Sequence, residues 1–164
     1  WRRRLLAPLT AQLTQGVSPA KLSATLAVGT GCSMFPFLGT TSLLNLGVGI
    51  ALRMNQPVMQ TWNQLLGPVH LVMILVYVRI GEWIVGAQGE ERFAVGEMLR
   101  TFRDVPFGEF IERFGRAGLH ASLAWALTLP VLVGGVYVVL RPVLVGFSTR
   151  LRKARGRARK NRVP

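Results

Sequence analysis

Residues 22–52 read LSATLAVGTGCSMFPFLGTTSLLNLGVGIAL, 31 residues with no charged side chain between Lys21 and Arg53. A simple membrane span takes about 20 apolar residues, so this run is too long for one crossing and too short for two comfortable ones. At its middle stands Phe35-Pro36-Phe37-Leu38-Gly39. Proline removes a helical donor and glycine accepts positive φ, so a helix entering this pentapeptide ends there. Two short helices are expected, over residues 19–34 and 40–53, about 24 and 21 Å long at 1.5 Å per residue. Each falls short of the roughly 30 Å hydrocarbon core, and the predicted element is a broken-helix hairpin over 19–53, re-entrant rather than crossing. Its hinges are Pro36 and Gly39.

Both halves are rich in small residues (Ala24, Ala27, Gly29, Gly31, then Gly47, Gly49, Ala51), which lets helices approach closely in lipid. Gly29-Thr30-Gly31 is not a dinucleotide fingerprint, because no strand precedes it and no third glycine follows at the required spacing. Ser18-Pro19 opens the first half with a favoured N-cap and a proline whose missing N–H had no helical partner.

The rest of the chain fits a membrane setting. Of 164 residues, 50% are hydrophobic and 16% charged, against about 25% charged in soluble domains. Twenty Lys and Arg face seven Asp and Glu, a formal net charge of +13. Arg2, Arg3 and Arg4 stand at one end, and eight cations from Arg150 to Arg162 lie within the last fifteen residues. Uncharged runs between basic ends are the positive-inside pattern, and they argue against a nucleic-acid partner. Trp1 in place of a methionine predicts a natural N-terminus further upstream.

Residues 1–16 place Leu5, Leu9 and Leu13 four apart behind three arginines. That is an amphipathic segment suited to a membrane surface, or equally to packing on the protein. Arg53-Met54-Asn55-Gln56-Pro57 separates the hairpin from the next helix, with Pro57 as its opening hinge. A transmembrane helix is expected over 57–86, completing a core membrane domain at 17–87, with a bend at Gly67-Pro68. Near its far end Arg79 and Glu82 stand three apart, an interfacial ion pair beside Trp83. Residues 88–116 mix both charge signs with two apolar stripes, which reads as amphipathic helices in a non-cytoplasmic loop. Residues 117–146 form the second transmembrane helix, and 147–164 a basic cytoplasmic tail. The fold class is thus an all-α integral membrane protein: a broken hairpin, two longer transmembrane helices and interfacial amphipathic helices. A fully crossing hairpin would leave the same sidedness, so charge bias does not separate the two forms.

The chemistry-bearing residues are few. Cys32 is the single cysteine, and His70 and His120 stand apart with no ligand partner at close spacing. No metal and no cofactor are expected, and nothing resembles a nucleophile with its base, so an enzyme is not expected. Polar residues within membranes are expensive and point to function. Arg53, Asn55, Asn63 and Gln64 are the candidate ligand-binding set, because broken helices present polar ends to anions. Two roles follow: handling or translocating an anionic lipid or lipid-linked intermediate, or acting as a non-catalytic accessory subunit of a larger membrane complex. The partners expected are membrane lipids, with anionic headgroups at the basic ends, and either further copies of the chain or another membrane protein.

The order Ser18-Pro19, Ala27-Val28-Gly29, Phe35-Pro36-Phe37-Leu38-Gly39, Arg53-Met54-Asn55-Gln56-Pro57, Asn63, Gly67-Pro68-Val69-His70 and Arg79-Ile80-Gly81-Glu82-Trp83 resembles a bacterial membrane family, domain of unknown function 2062. The resemblance covers roughly residues 16–86. It implies a bacterial membrane protein, and the charge pattern makes that a multi-pass protein of the inner membrane with both termini cytoplasmic. Some relatives are joined to glycosyltransferase domains, which points toward lipid-linked sugars. Many members carry an Asn-Pro dipeptide where this chain separates Asn63 from Pro68.

Overall fold

A computed structural model describes residues 18–37, 39–86 and 107–160. Among these the structure is all-helical, with no strand: α1 Pro19–Ser33, α2 Thr41–Ala51, α3 Gln56–Val85 and α4 Phe107–Lys160. The N-terminal amphipathic segment, Leu38 and the loop up to residue 106 lie outside the described residues.

Local chemistry sets the helix ends. The Ser18 hydroxyl accepts from the Lys21 N–H at 3.2 Å ahead of Pro19, satisfying one of the orphan donors of a first turn. α1 stops at Met34, and Phe35 to Phe37 are non-helical around a buried Pro36. Gly39 then takes φ +83, a left-handed conformation that costs glycine little. Asn55 caps α3 by accepting from the Val58 N–H at 3.2 Å, with Pro57 in the first turn. α3 closes on Gly86, also left-handed. It remains one helix across Gly67 and Pro68.

The end of α2 is less ordinary. The Met54 N–H bonds the Gly49 carbonyl at 2.8 Å and the Arg53 N–H bonds the Ile50 carbonyl at 3.1 Å. This is a Schellman termination, whose left-handed residue is usually glycine. Here Arg53 occupies it at φ 51, the one positive-φ residue other than glycine among those described.

Side-chain contacts give the helix directions. Leu22 and Leu26 pack with Val58, Trp62 bonds Thr30, and His70 bonds Phe35, so α1 and α3 run parallel. Gln56 reaches the Leu46 carbonyl and Gln60 the Ser42 carbonyl, so α2 runs back between them. α4 is antiparallel to α1, with Leu144 at the Leu22 end and Gly118 against the Phe37 ring. Two apolar clusters pin the bundle. Met34, Tyr77, Val78, Ala121 and Ala124 lie toward the hairpin tip, and Leu22, Leu26, Val58 and Leu144 toward its base. Gly81 makes the closest helix approach, because any Cβ there would meet the backbone at His120 and Ala121.

α3 and the Gly115–Arg150 part of α4 are both long and apolar enough to cross a membrane. Only 6% of the most apolar window of α4 is buried, and 28% of that of α3. Their outward faces carry Val131 at 78% exposure and Leu71, Val72, Leu127, Val138 and Val139 above half exposed.

Two of the expected segment boundaries fall inside one helix. α4 is a single 54-residue helix, running through both places where the charge pattern changes, near residues 116 and 147. A change in charge does not by itself end a helix, whose hydrogen bonding continues where Ala, Arg, Lys and Leu supply propensity.

Candidate functional site

The hairpin's inner face is polar and mostly satisfied from α3 and α4. The Trp62 indole donates to Thr30 Oγ1 at 2.8 Å, and Thr30 donates onward to the Leu26 carbonyl at 2.8 Å. Asn45, fully buried, donates from Nδ2 to Ser33 Oγ at 3.2 Å and to the Thr41 carbonyl at 2.9 Å. Trp125 Nε1 donates to the Gly31 carbonyl at 2.9 Å, and His70 Nε2 lies 2.7 Å from the Phe35 carbonyl. The Gly31 carbonyl lies in the last turn of α1, which has no following helical N–H, and the Phe35 carbonyl lies in the break itself, so these two side chains complete it. A carbonyl only accepts, which makes His70 Nε2 the protonated nitrogen of its ring. Phe35 also meets Trp125 edge-on at 4.9 Å between centroids.

On the α2–α3 side, three amides one helical turn apart hold α2 by its backbone and hydroxyl. Gln56 Nε2 donates to the Leu46 carbonyl at 3.1 Å and Gln60 Nε2 to the Ser42 carbonyl at 3.1 Å. Asn63 Nδ2 donates to Ser42 Oγ at 3.0 Å. Two acceptor atoms in this seam, Asn45 Oδ1 and Gln56 Oε1, are buried without a hydrogen-bond partner.

The four candidate ligand-binding residues therefore do not form one cluster. Arg53 and Asn55 share the turn between α2 and α3, Arg53 exposed and Asn55 engaged as a cap. Asn63 lies two turns further on, buried against Ser42, and its neighbour Gln64 is exposed on another face. Among the hinge positions, Ser18, Pro19, Gly39 and Pro57 stand at helix ends, Pro36 lies in the break, and Gly67 and Pro68 lie within α3. Arg79 Nη1 donates to Glu82 Oε2 at 2.9 Å, with the arginine largely exposed and the carboxylate buried. Among the described residues no group of three metal-ligating side chains comes together.

What does come together is a set of segments that carry cations. The start of α1, the Arg53 turn, the start of α3 and the Leu140–Leu144 region of α4 meet at the base of the hairpin. Lys21, Arg53 and Arg141 stand on these segments, all exposed, and Arg141 lies 5.9 Å from the centre of the Tyr137 ring. The α1 and α3 N-termini add the positive ends of two helix dipoles. The acids among the described residues, Glu82, Glu109 and Glu112, all belong to the opposite end.

Sequence reading missed Trp62, His70, Trp125, Gln56 and Gln60 as the residues that fasten the hairpin. Their partners are up to 94 positions away, and only the polar turn 60–64 around Trp62 gave a sign. None of the curated proteins and none of the solved structures compared matches the chain. A family model described as "Uncharacterized protein conserved in bacteria (DUF2062)" matches residues 2–162, more than twice the stretch that carries the resemblance in its motifs. The chain belongs to this bacterial family.

Proposed function

We propose that this is a non-enzymatic, multi-pass protein of the bacterial inner membrane that handles or translocates an anionic lipid or lipid-linked intermediate. The exposed apolar faces of α3 and α4 support insertion, since a soluble core helix would bury most of its apolar window. α2 has 11 residues, about 16 Å, and cannot cross a core of about 30 Å. α3 continues 15 residues past His70, where it meets the tip, about 22 Å further. Both lengths favour a re-entrant hairpin entering from the basic side. That side is cytoplasmic by the positive-inside rule, as are both termini.

The observation that carries the lipid reading is Arg53. A left-handed arginine costs about 1 kcal/mol relative to glycine at the same place, and such strain tends to persist where the side chain has a use. An exposed guanidinium beside two helix N-termini suits a phosphate-bearing headgroup. Native mass spectrometry with phosphatidylglycerol tests this. Arg53→Gly keeps the turn and should abolish headgroup retention, and retention equal to wild type removes the assignment.

A second reading, an accessory subunit of a larger membrane complex, draws on Gly134 and Gly135, which open onto unoccupied space on α4. Small residues admit close helix approach in lipid. Stoichiometric co-purification with an unrelated membrane protein in gentle detergent would favour it.

A further inference from the structure

α4 does not stop where its apolar face stops. Its helix continues through residues 150–160, which include Arg150, Arg152, Lys153, Arg155, Arg157, Arg159 and Lys160. No acidic residue follows Glu112 anywhere in the sequence. Residues three or four apart are neighbours on a helix, and like charges so placed oppose helix formation. Here five such pairs occur: 150 with 153, 152 with 155, 153 with 157, 155 with 159, and 157 with 160. Gly156 weakens the segment further. The propensity of Ala, Arg, Lys and Leu carries the helix onward, but its own repulsion weakens it, by about 0.2–0.5 kcal/mol per pair, and it gains from a counter-charge. We propose that residues 150–160 form an anion-dependent helix whose partner is the anionic phospholipid surface of the leaflet from which α4 emerges.

This inference rests on the membrane reading of α4, which also supplies the geometry. Exposed apolar residues run from Leu119 to Val145, about 40 Å of helix at 1.5 Å per residue. To fit a core of about 30 Å that length must tilt by about 40°. Leaving the membrane at that angle, the 11-residue extension climbs only about 12 Å, comparable to a Debye length of roughly 8–10 Å. The segment thus stays near the headgroup phosphates along its length, and polybasic segments just beyond a span are drawn to such surfaces. A nucleic acid would answer the same charge, but the segment is continuous with an apolar helix that, on the membrane reading, delivers it beside the headgroups.

Amide hydrogen exchange of the full chain tests the proposal, in nanodiscs of neutral phosphatidylcholine and in discs with about a third phosphatidylglycerol. Protection of residues 150–160 should rise at least tenfold in the anionic discs. It should fall back in 0.5 M salt and in the triple variant Arg155→Gln, Arg157→Gln, Arg159→Gln. Equal protection in both discs overturns the proposal, as does protection gained from an oligonucleotide but not from phosphatidylglycerol. Residues 119–140 report separately on the membrane reading. Slow exchange there in both discs upholds it whatever the tail does, and rapid exchange there contradicts it.

Discussion

The indole Nε1 of Trp125 donates to the Gly31 carbonyl oxygen at 2.9 Å, joining the last turn of α1 to α4 across 94 residues of sequence. At the same contact a Cβ on Gly31 would lie 2.6 Å from Leu129 Cδ1 and 2.7 Å from Val133 Cγ2. The broken end of α1 is thus held to α4 by this hydrogen bond and by a close approach that a Cβ would crowd unless Leu129 and Val133 shifted. Gly31→Ala should destabilise the protein by about 1–3 kcal/mol, the usual cost of overpacking. Trp125→Phe should cost about 1–3 kcal/mol, by stranding a buried acceptor. Thermal unfolding in a mild detergent measures both.

Gly81 and Gly134 should respond in opposite directions to the same substitution. A Cβ at Gly81 meets the backbone of His120 and lies 2.9 Å from Ala121 N, where no side-chain rotation gives relief. Gly81→Ala should cost more than 3 kcal/mol or prevent α3 from docking on α4. Gly134 faces open space in the same helix pair. Gly134→Ala should therefore raise stability by up to about 1 kcal/mol through helix propensity. Paired melting curves separate the two.

Asn63 and Gln64 were indistinguishable as neighbouring polar residues, yet they stand in different environments. Asn63 is buried on Ser42 and Gln64 is exposed. Asn63→Ala should cost about 1–2 kcal/mol, because Ser42 loses its buried donor. Gln64→Ala should stay within about 0.5 kcal/mol of wild type. Chemical denaturation midpoints measured side by side decide it.

That pair shows where sequence reading reaches and where it stops. Helix starts at Pro19 and Pro57 were legible, because a cap and its proline are neighbours in the chain. The hairpin break was legible for the same reason, since Pro36 and Gly39 act on their own backbone. The end of α4 is not, because a change in charge weakens a helix by only a few tenths of a kcal/mol per like-charged pair and does not by itself end the hydrogen-bond ladder. Trp62, His70 and Trp125 escaped notice because their role is to meet acceptors 32, 35 and 94 residues away. Which of two adjacent amides turns inward depends on where α2 lies, and no local pattern specifies that. Arg53 was identified as a polar turn residue, while its left-handed backbone became visible only with the Met54–Gly49 bond in place.

Arg53→Gly should separate stability from function. Glycine takes the left-handed turn without strain, offset in part by the greater freedom it gives the unfolded chain. The variant should gain about 0.5–1 kcal/mol, a rise of a few degrees in melting temperature. It should lose anionic-lipid retention at the same time. An arginine placed for structural reasons alone would leave lipid retention unchanged.

Cysteine accessibility in oriented membranes tests the proposed half-depth hairpin. In a Cys32→Ala background, single cysteines replace Thr40 at the tip and Leu52 at the base, both exposed positions. Leu52→Cys should react with an impermeant thiol reagent only from the cytoplasmic side, and Thr40→Cys should resist labelling from outside the cell. Ready labelling of Thr40→Cys from outside would mean that the hairpin crosses completely, and would contradict the account.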